Sequence, residues 1–176
     1  VQESITEALE AIAGWPVASL KFDQDLVRRM VAAGRKGDRV RGEILFESAR
    51  AGCIACHKTG NQGGMIGPEL SAVGSGVPAD RIVTEVLWPA RQVKGGYALS
   101  RITMRDGRVL QGYLQESRDK KLLLRRDFAG AGMHEVEAEM VTKEEPIGSL
   151  MPPTAQSLSR DELSDLFAYL FSLVGK

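Results

Sequence analysis

Apolar side chains fall at helical spacing over several stretches of the chain and switch to strand-like runs in one block between them. Residues 4–13 carry Ile5, Leu9 and Ile12, and residues 23–33 carry Leu26, Val27, Met30 and Val31, each set spaced for one helix face. Gly14, Pro16 and Gly34 punctuate these two short helices. Segment 1–36 therefore reads as an N-terminal helical extension, with no recognisable chemistry of its own.

A third helix is predicted from Asp38, a residue suited to N-capping, to about residue 49 or 50. Gly42, Leu45, Phe46 and Ala49 share one face, whereas Val40 and Ile44 point nearly the opposite way. A face centred on glycine lets a second helix approach backbone to backbone. Val40 and Ile44 need separate cover, which the extension is expected to supply. A fourth helix opens at Pro78 and closes before Pro89, with Ile82, Val83, Val86 and Leu87 inward. The last helix has the sharpest boundaries: Ser159 and Glu162 form a capping box, Leu158 and Leu163 a hydrophobic staple, and Gly175 ends it. Its stripe of Leu163, Leu166, Phe167, Leu170 and Val174 is predicted to pack on the Gly42 and Phe46 face.

Residues 95–147 change character. Strand-like runs at 97–104 and 108–115 flank Asp106-Gly107, a strong hairpin signal, and 121–125 and 133–137 read as further strands. The block forms a β-rich insert large enough for a small sheet or partly closed barrel. It carries His134 and three methionines.

Composition adds limits. The chain is 43% apolar over 176 residues, enough for a real core. Lys+Arg and Asp+Glu balance at 23 each, so the basic footprint of a nucleic-acid binder is missing. No apolar run reaches bilayer-spanning length, and no membrane span is expected. The sequence begins at Val1 and shows no signal peptide, as expected of a mature product or an excised piece of a longer protein.

The candidate chemistry concentrates in Cys53-Ile54-Ala55-Cys56-His57, which holds both cysteines of the chain. A C-x-x-C-H run is the pattern of c-type haem attachment: each thiol adds across a haem vinyl group, and the adjacent imidazole ligates the iron. Two rivals use the same residues. A thioredoxin-type dithiol wants a preceding buried strand, yet the residues before Cys53 have helical periodicity. A zinc site needs four ligands and would have to recruit the distant His134.

After His57 a glycine-rich loop, 60–67, leads into Gly67-Pro68-Glu69-Leu70. Residues without Cβ allow a loop to wrap a flat ring closely. The Pro68 carbonyl is the candidate acceptor for the second nitrogen of His57, a contact that orients a ligating ring and raises its basicity. For the opposite side of the iron, Met30, Met104, Met133 and Met140 lie in predicted helix or strand positions where packing is the default use of methionine, and Met65 lies in the proximal loop. Met151 stands in Ser149-Leu150-Met151-Pro152-Pro153, stiffened by two prolines, and is the candidate axial ligand, with His134 or an open position as alternatives. Trp88, Arg91 and Tyr97 could face the haem propionates, but the favoured reading is the ordinary one: a helix-end core aromatic, a surface arginine and a strand residue.

Taken together, the Gly42/Phe46 helix, Cys53-x-x-Cys56-His57, Gly67-Pro68-Glu69-Leu70, Met151-Pro152 and the helix containing Leu166-x-x-Tyr169-Leu170 resemble a class I c-type cytochrome. Gly63-Gly64-x-x-Gly67-Pro68-Glu69-Leu70, Trp88-Pro89, Asp106-Gly107-Arg108-Val109-x-x-Gly112 and Ser149-Leu150-Met151-Pro152 more closely resemble the Pirellula/Verrucomicrobium-type haem-binding domain, often the C-terminal part of large exported dehydrogenase-like proteins. The resemblance covers 37–173. It implies a mainly α chain with the class I cytochrome c fold: a core of 37–94 and 148–176, a β-rich insertion at 95–147, and the extension at 1–36. It also implies one covalent haem c with its iron on His57 and Met151, and electron transfer rather than enzymatic turnover. Expected partners are a dehydrogenase donor and a cytochrome or oxidase acceptor, in the periplasm or another exported location. A haem peroxidase or gas sensor with a labile distal ligand is the alternative function. The insert is absent from minimal class I cytochromes, so its role does not carry over.

Overall fold

The computed structural model describes residues 21–93, 97–116, 122–125 and 133–175, with backbone only for 114–116, 122–125 and 133–135. They belong to two compact units. One runs up to Pro89 and resumes at Pro153; the other is Ala90–Pro152.

The first unit is helical. Helix α1 (Gln24–Gly34) starts at Asp23, whose carboxylate accepts the Asp25 N–H, and it buries Leu26, Val27 and Met30. Helix α2 (Arg39–Glu47) starts at Asp38, which accepts from the Val40 and Arg41 amides and so satisfies two of the otherwise orphaned first-turn donors. A single turn, α3 (Cys53–Cys56), leads into a two-strand ladder of β1 (Lys58–Thr59) and β2 (Gln62–Gly63). Short α4 (Val73–Gly76) and α5 (Ala79–Leu87) follow.

The chain re-enters this unit through α6 (Arg160–Ser172). Its capping box closes both ways: Ser159 Oγ accepts the Glu162 N–H, and Glu162 Oε2 accepts the Ser159 N–H. Leu163, Leu166, Phe167 and Leu170 form the centre of the core, with α1, α2 and α5 packed against this helix. Burying one such side chain stabilises the fold by roughly 1.5–3 kcal/mol. The α2 crossing sits at Gly42, where an added Cβ would lie 1.9 Å from the Asp165 carbonyl oxygen, and the Phe46 and Tyr169 rings meet at 5.4 Å. Asp165 ties the crossing: it accepts the Asp38 N–H at 2.7 Å and the Arg41 Nε–H at 2.7 Å.

The second unit is a five-stranded antiparallel sheet in the order β6-β5-β4-β3-β7: β3 (Ala98–Met104), β4 (Val109–Glu116), β5 (Leu122–Arg125), β6 (Met133–Val136) and β7 (Val141–Ser149). The Asp106-Gly107 hairpin turns in three residues, with Gly107 in the left-handed region at φ 84° and Asp106 Oδ1 accepting the Arg108 N–H. Strand β3 lies between β4 and β7, with Ala98 opposite Ser149. Ile102, Met104 and Val136 form a small core, and the buried Ser100 hydroxyl donates to Glu144 at 2.8 Å.

Several expectations need correction. The chain is not mainly α and not the class I cytochrome c fold that its motifs imply; it is mixed, with two antiparallel sheets, the larger of five strands. Much of the difference comes from β7, whose Pro146 and charged Lys143, Glu144 and Glu145 hide a strand. An edge position makes these residues tolerable, because one side of the strand needs no ladder partner. Within the segment read as the N-terminal extension, α1 contributes Leu26, Val27 and Met30 to the same core as α6. It leaves Val40 and Ile44 exposed, at 55% and 65%. The helix expected at 4–13 lies outside the described residues. Val174 is exposed because α6 ends at Ser172, two residues short of continuing the stripe.

Candidate functional site

The C-x-x-C-H run is a helical turn bounded by unusual backbone. Gly52 precedes it in the left-handed conformation, φ 68°, where a side chain would be strained. The turn closes when the His57 N–H donates to the Cys53 carbonyl at 3.0 Å, after which His57 leaves in an extended conformation. Both cysteines are free and partly buried. The segment before them is α2, so the strand that a thioredoxin-type dithiol requires is replaced by a helix.

Electrostatics points the same way. Burial pushes the Cys53 thiol up to about 11 and raises Cys56 as well. Redox dithiols work through a depressed thiolate, and this site does the reverse. Among the described residues no group of three or more His, Cys, Asp or Glu side chains is arranged to hold a metal ion. Burial also lowers His57 below its ordinary value, against the opposing bond to Pro68.

That bond fixes the imidazole. His57 Nδ1 lies 2.9 Å from the Pro68 carbonyl oxygen. A carbonyl can only accept, so the neutral ring carries its proton on Nδ1 and leaves the Nε2 lone pair bare. The loop that delivers Pro68 is stitched to the Cys53–His57 turn by its own backbone: Gly64 N–H donates to the Ile54 carbonyl at 2.9 Å, Gly67 N–H to Cys56 at 2.8 Å, and Leu70 N–H to Lys58 at 2.8 Å.

The loop glycines have a more local reason than wrapping a cofactor. A Cβ on Gly63 would lie 2.1 Å from the His57 carbonyl oxygen, on Gly64 2.1 Å from that of Ala55, and on Gly67 2.6 Å from His57 Cε1. They let the loop backbone press on the turn and stack against the imidazole. The Ala51 carbonyl, just before the turn, receives the Thr154 hydroxyl at 3.1 Å and faces the Cys53 thiol at 3.7 Å. No pattern in the sequence marks Thr154 for this role.

The donor set therefore fits a haem c: two protonated thiols and a bare Nε2 on one turn, braced by a glycine loop. Met151 is half-buried in the second unit, its N–H held by Ser149 Oγ at 3.1 Å. Met30, Met104 and Met140 are packed in their respective cores, Met65 is 74% exposed, and His134 lies on β6 opposite Leu124. Trp88 is buried edge-on to Phe22, as a core aromatic. No helix among the described residues is long and apolar enough to cross a membrane. In comparisons with known proteins, no family model and no curated protein matches the chain.

Proposed function

We propose that this chain is a one-electron carrier with a single covalent haem c, bonded through Cys53 and Cys56 and ligated by His57 Nε2 and Met151. The observation that carries the reading is the 2.9 Å contact between His57 Nδ1 and the Pro68 carbonyl, beside two thiols in one helical turn. Bound haem supplies a reversible one-electron change at iron, and methionine ligation raises its potential relative to paired histidines.

The protein's own residues supply the rest. Pro68 orients the imidazole and increases its basicity, as outer partners of ligating histidines do. Gly64 and Gly67 lock the loop to the turn, so the ring is held before any ligand arrives. Among the methionines with described side chains, Met151 is neither committed to a core nor largely exposed. No substrate bond is broken, and the chain is not an enzyme by itself. Its partners are a dehydrogenase donor, fused or separate, and a cytochrome or oxidase acceptor, in a periplasmic or otherwise exported setting where haem is attached covalently. The reading rests on this site and on the motif resemblance to Pirellula/Verrucomicrobium-type haem-binding domains, independently of overall fold class.

The test is an optical spectrum with a haemochrome assay on chain matured with haem. The expected result is haem that resists acid-acetone extraction, with a sulfur-to-iron charge-transfer band in the ferric form that Met151→Ala abolishes. Extractable haem overturns covalent attachment. A high-spin ferric spectrum in the parent protein overturns the carrier in favour of a peroxidase or gas sensor.

A further inference from the structure

A cleft of about 910 Å³ opens in the helical unit between the α1–α2 turn, the α4–α5 turn and the end of α6. Residues 51–70 contribute nothing to its walls, so it is separate from the haem-type turn. Its volume falls in the range of small-molecule sites, which join apolar walls to a few placed polar groups. Here the apolar wall is Val77, Ile82 and Phe171, and the charged side chains are Arg35 and Arg39 alone.

The charge pattern selects the ligand. Arg28, Arg29, Arg41, Arg50, Arg81 and Arg108 all pair with carboxylates. Arg35 and Arg39 have no ion-pair or side-chain hydrogen-bond partner among the described residues. The nearest acid of α5, Asp80, is not in the cleft wall. Pro78 caps α5 without a side-chain bond, and the acid of its first turn, Asp80, offsets the positive end of the helix from outside the cleft wall. Two exposed arginines lining one cleft whose walls hold no carboxylate offer the planar fork geometry that phosphate and carboxylate groups match.

We propose that this cleft binds a small organic anion, with its oxyanion group on Arg35 and Arg39 and its apolar body against Ile82 and Phe171. The site does not depend on the haem reading. Phosphate esters and carboxylates share the required chemistry, and the titration separates them.

The experiment is calorimetric titration of the full chain with phenyl phosphate and with benzoate, using benzylamine as the cationic counterpart. At least one anion is expected to bind, and the stronger of the two names the ligand class; benzylamine is expected not to bind. Arg35→Gln combined with Arg39→Gln should weaken the anion at least about tenfold, the loss of one or more charge-assisted hydrogen bonds. Gly76→Glu gives an independent arm, because a side chain added there meets nothing within 4 Å and brings a negative charge to the cleft wall. It should weaken binding while the circular dichroism spectrum stays unchanged. Absence of binding by both anions, equal affinity in the double arginine variant, or equal binding of benzylamine overturns the proposal.

Discussion

Gly42→Ala is the sharpest test of how the helical unit is held together, because helix propensity and packing predict opposite signs. Alanine favours a helix interior over glycine by about 1 kcal/mol. The structure opposes this: the new methyl would sit 1.9 Å from the Asp165 carbonyl oxygen and 2.9 Å from Tyr169 Cβ. Restoring ordinary contact near 3.4 Å means parting α2 from α6 by about 1.5 Å. A gap of that order forfeits a quarter to a half or more of each dispersion contact across the crossing, including those of Phe46. Overpacking of this kind costs roughly 3 kcal/mol, so the net loss is about 2 kcal/mol. Urea denaturation followed by circular dichroism should show it, with a fall in Tm of about 4–8 °C. Gly76→Ala is the internal control: its added methyl meets open space, and it should gain about 0.5 kcal/mol by restricting the unfolded chain. A Gly42→Ala protein as stable as the parent, beside a stabilised Gly76→Ala, would refute the close crossing.

Two further predictions concern the polar contacts. Asp165→Asn should cost about 2 kcal/mol at neutral pH, most of it from the charge-assisted bond to the Asp38 N–H and less from the pair with Arg41, whose side chain is 67% exposed. The hydrogen bond from Arg41 holds the Asp165 carboxyl below its ordinary value. Its contribution is therefore full above about pH 4 and fades as pH falls through the lower folded-state value. The stability gap between parent and variant, read from urea titrations, should shrink in acid; a gap that widens there contradicts the assignment. Gly67→Ala should drive the imidazole off the Pro68 carbonyl, since the methyl would stand 2.6 Å from His57 Cε1. Nitrogen-15 spectra of the haem-free chain should show the proton on Nδ1 in the parent and a tautomer mixture in the variant, and an unchanged tautomer would sink this account of the loop.

The features legible in the sequence are those whose cause is local. Asp38 as cap, the Ser159 and Glu162 box, the Asp106-Gly107 turn and the bare Gly42 face each depend on residues within a few positions, and the structure has all of them. The Pro68 carbonyl was identifiable because only a short glycine loop follows His57. What escaped depends on distant partners. Strand β7 looks like a charged loop until β3 is beside it, and the β1–β2 ladder contains no apolar alternation to announce it. Arg35 and Arg39 read as ordinary surface residues, and only the fold brings these two exposed side chains to one cleft with the α4–α5 turn and Phe171. Fold class is hidden from motif spacing for the same reason, because the balance of helix and sheet is decided by long-range pairing.

The pairing of Ala98 with Ser149 has a consequence for the order in which the chain folds. To dock α6 onto α2, the polypeptide must close a loop of roughly 64 residues between Pro89 and Pro153, and loop-closure entropy rises with the logarithm of length. A β3–β7 ladder formed beforehand fastens the two ends of that excursion side by side and leaves roughly 13 residues to close, which lowers the cost by about 1.4 kcal/mol. The sheet therefore serves the helices as a clasp. Once that ladder has formed, the remaining encounter is near-local and about tenfold more favourable, the longer closure having been met within the sheet.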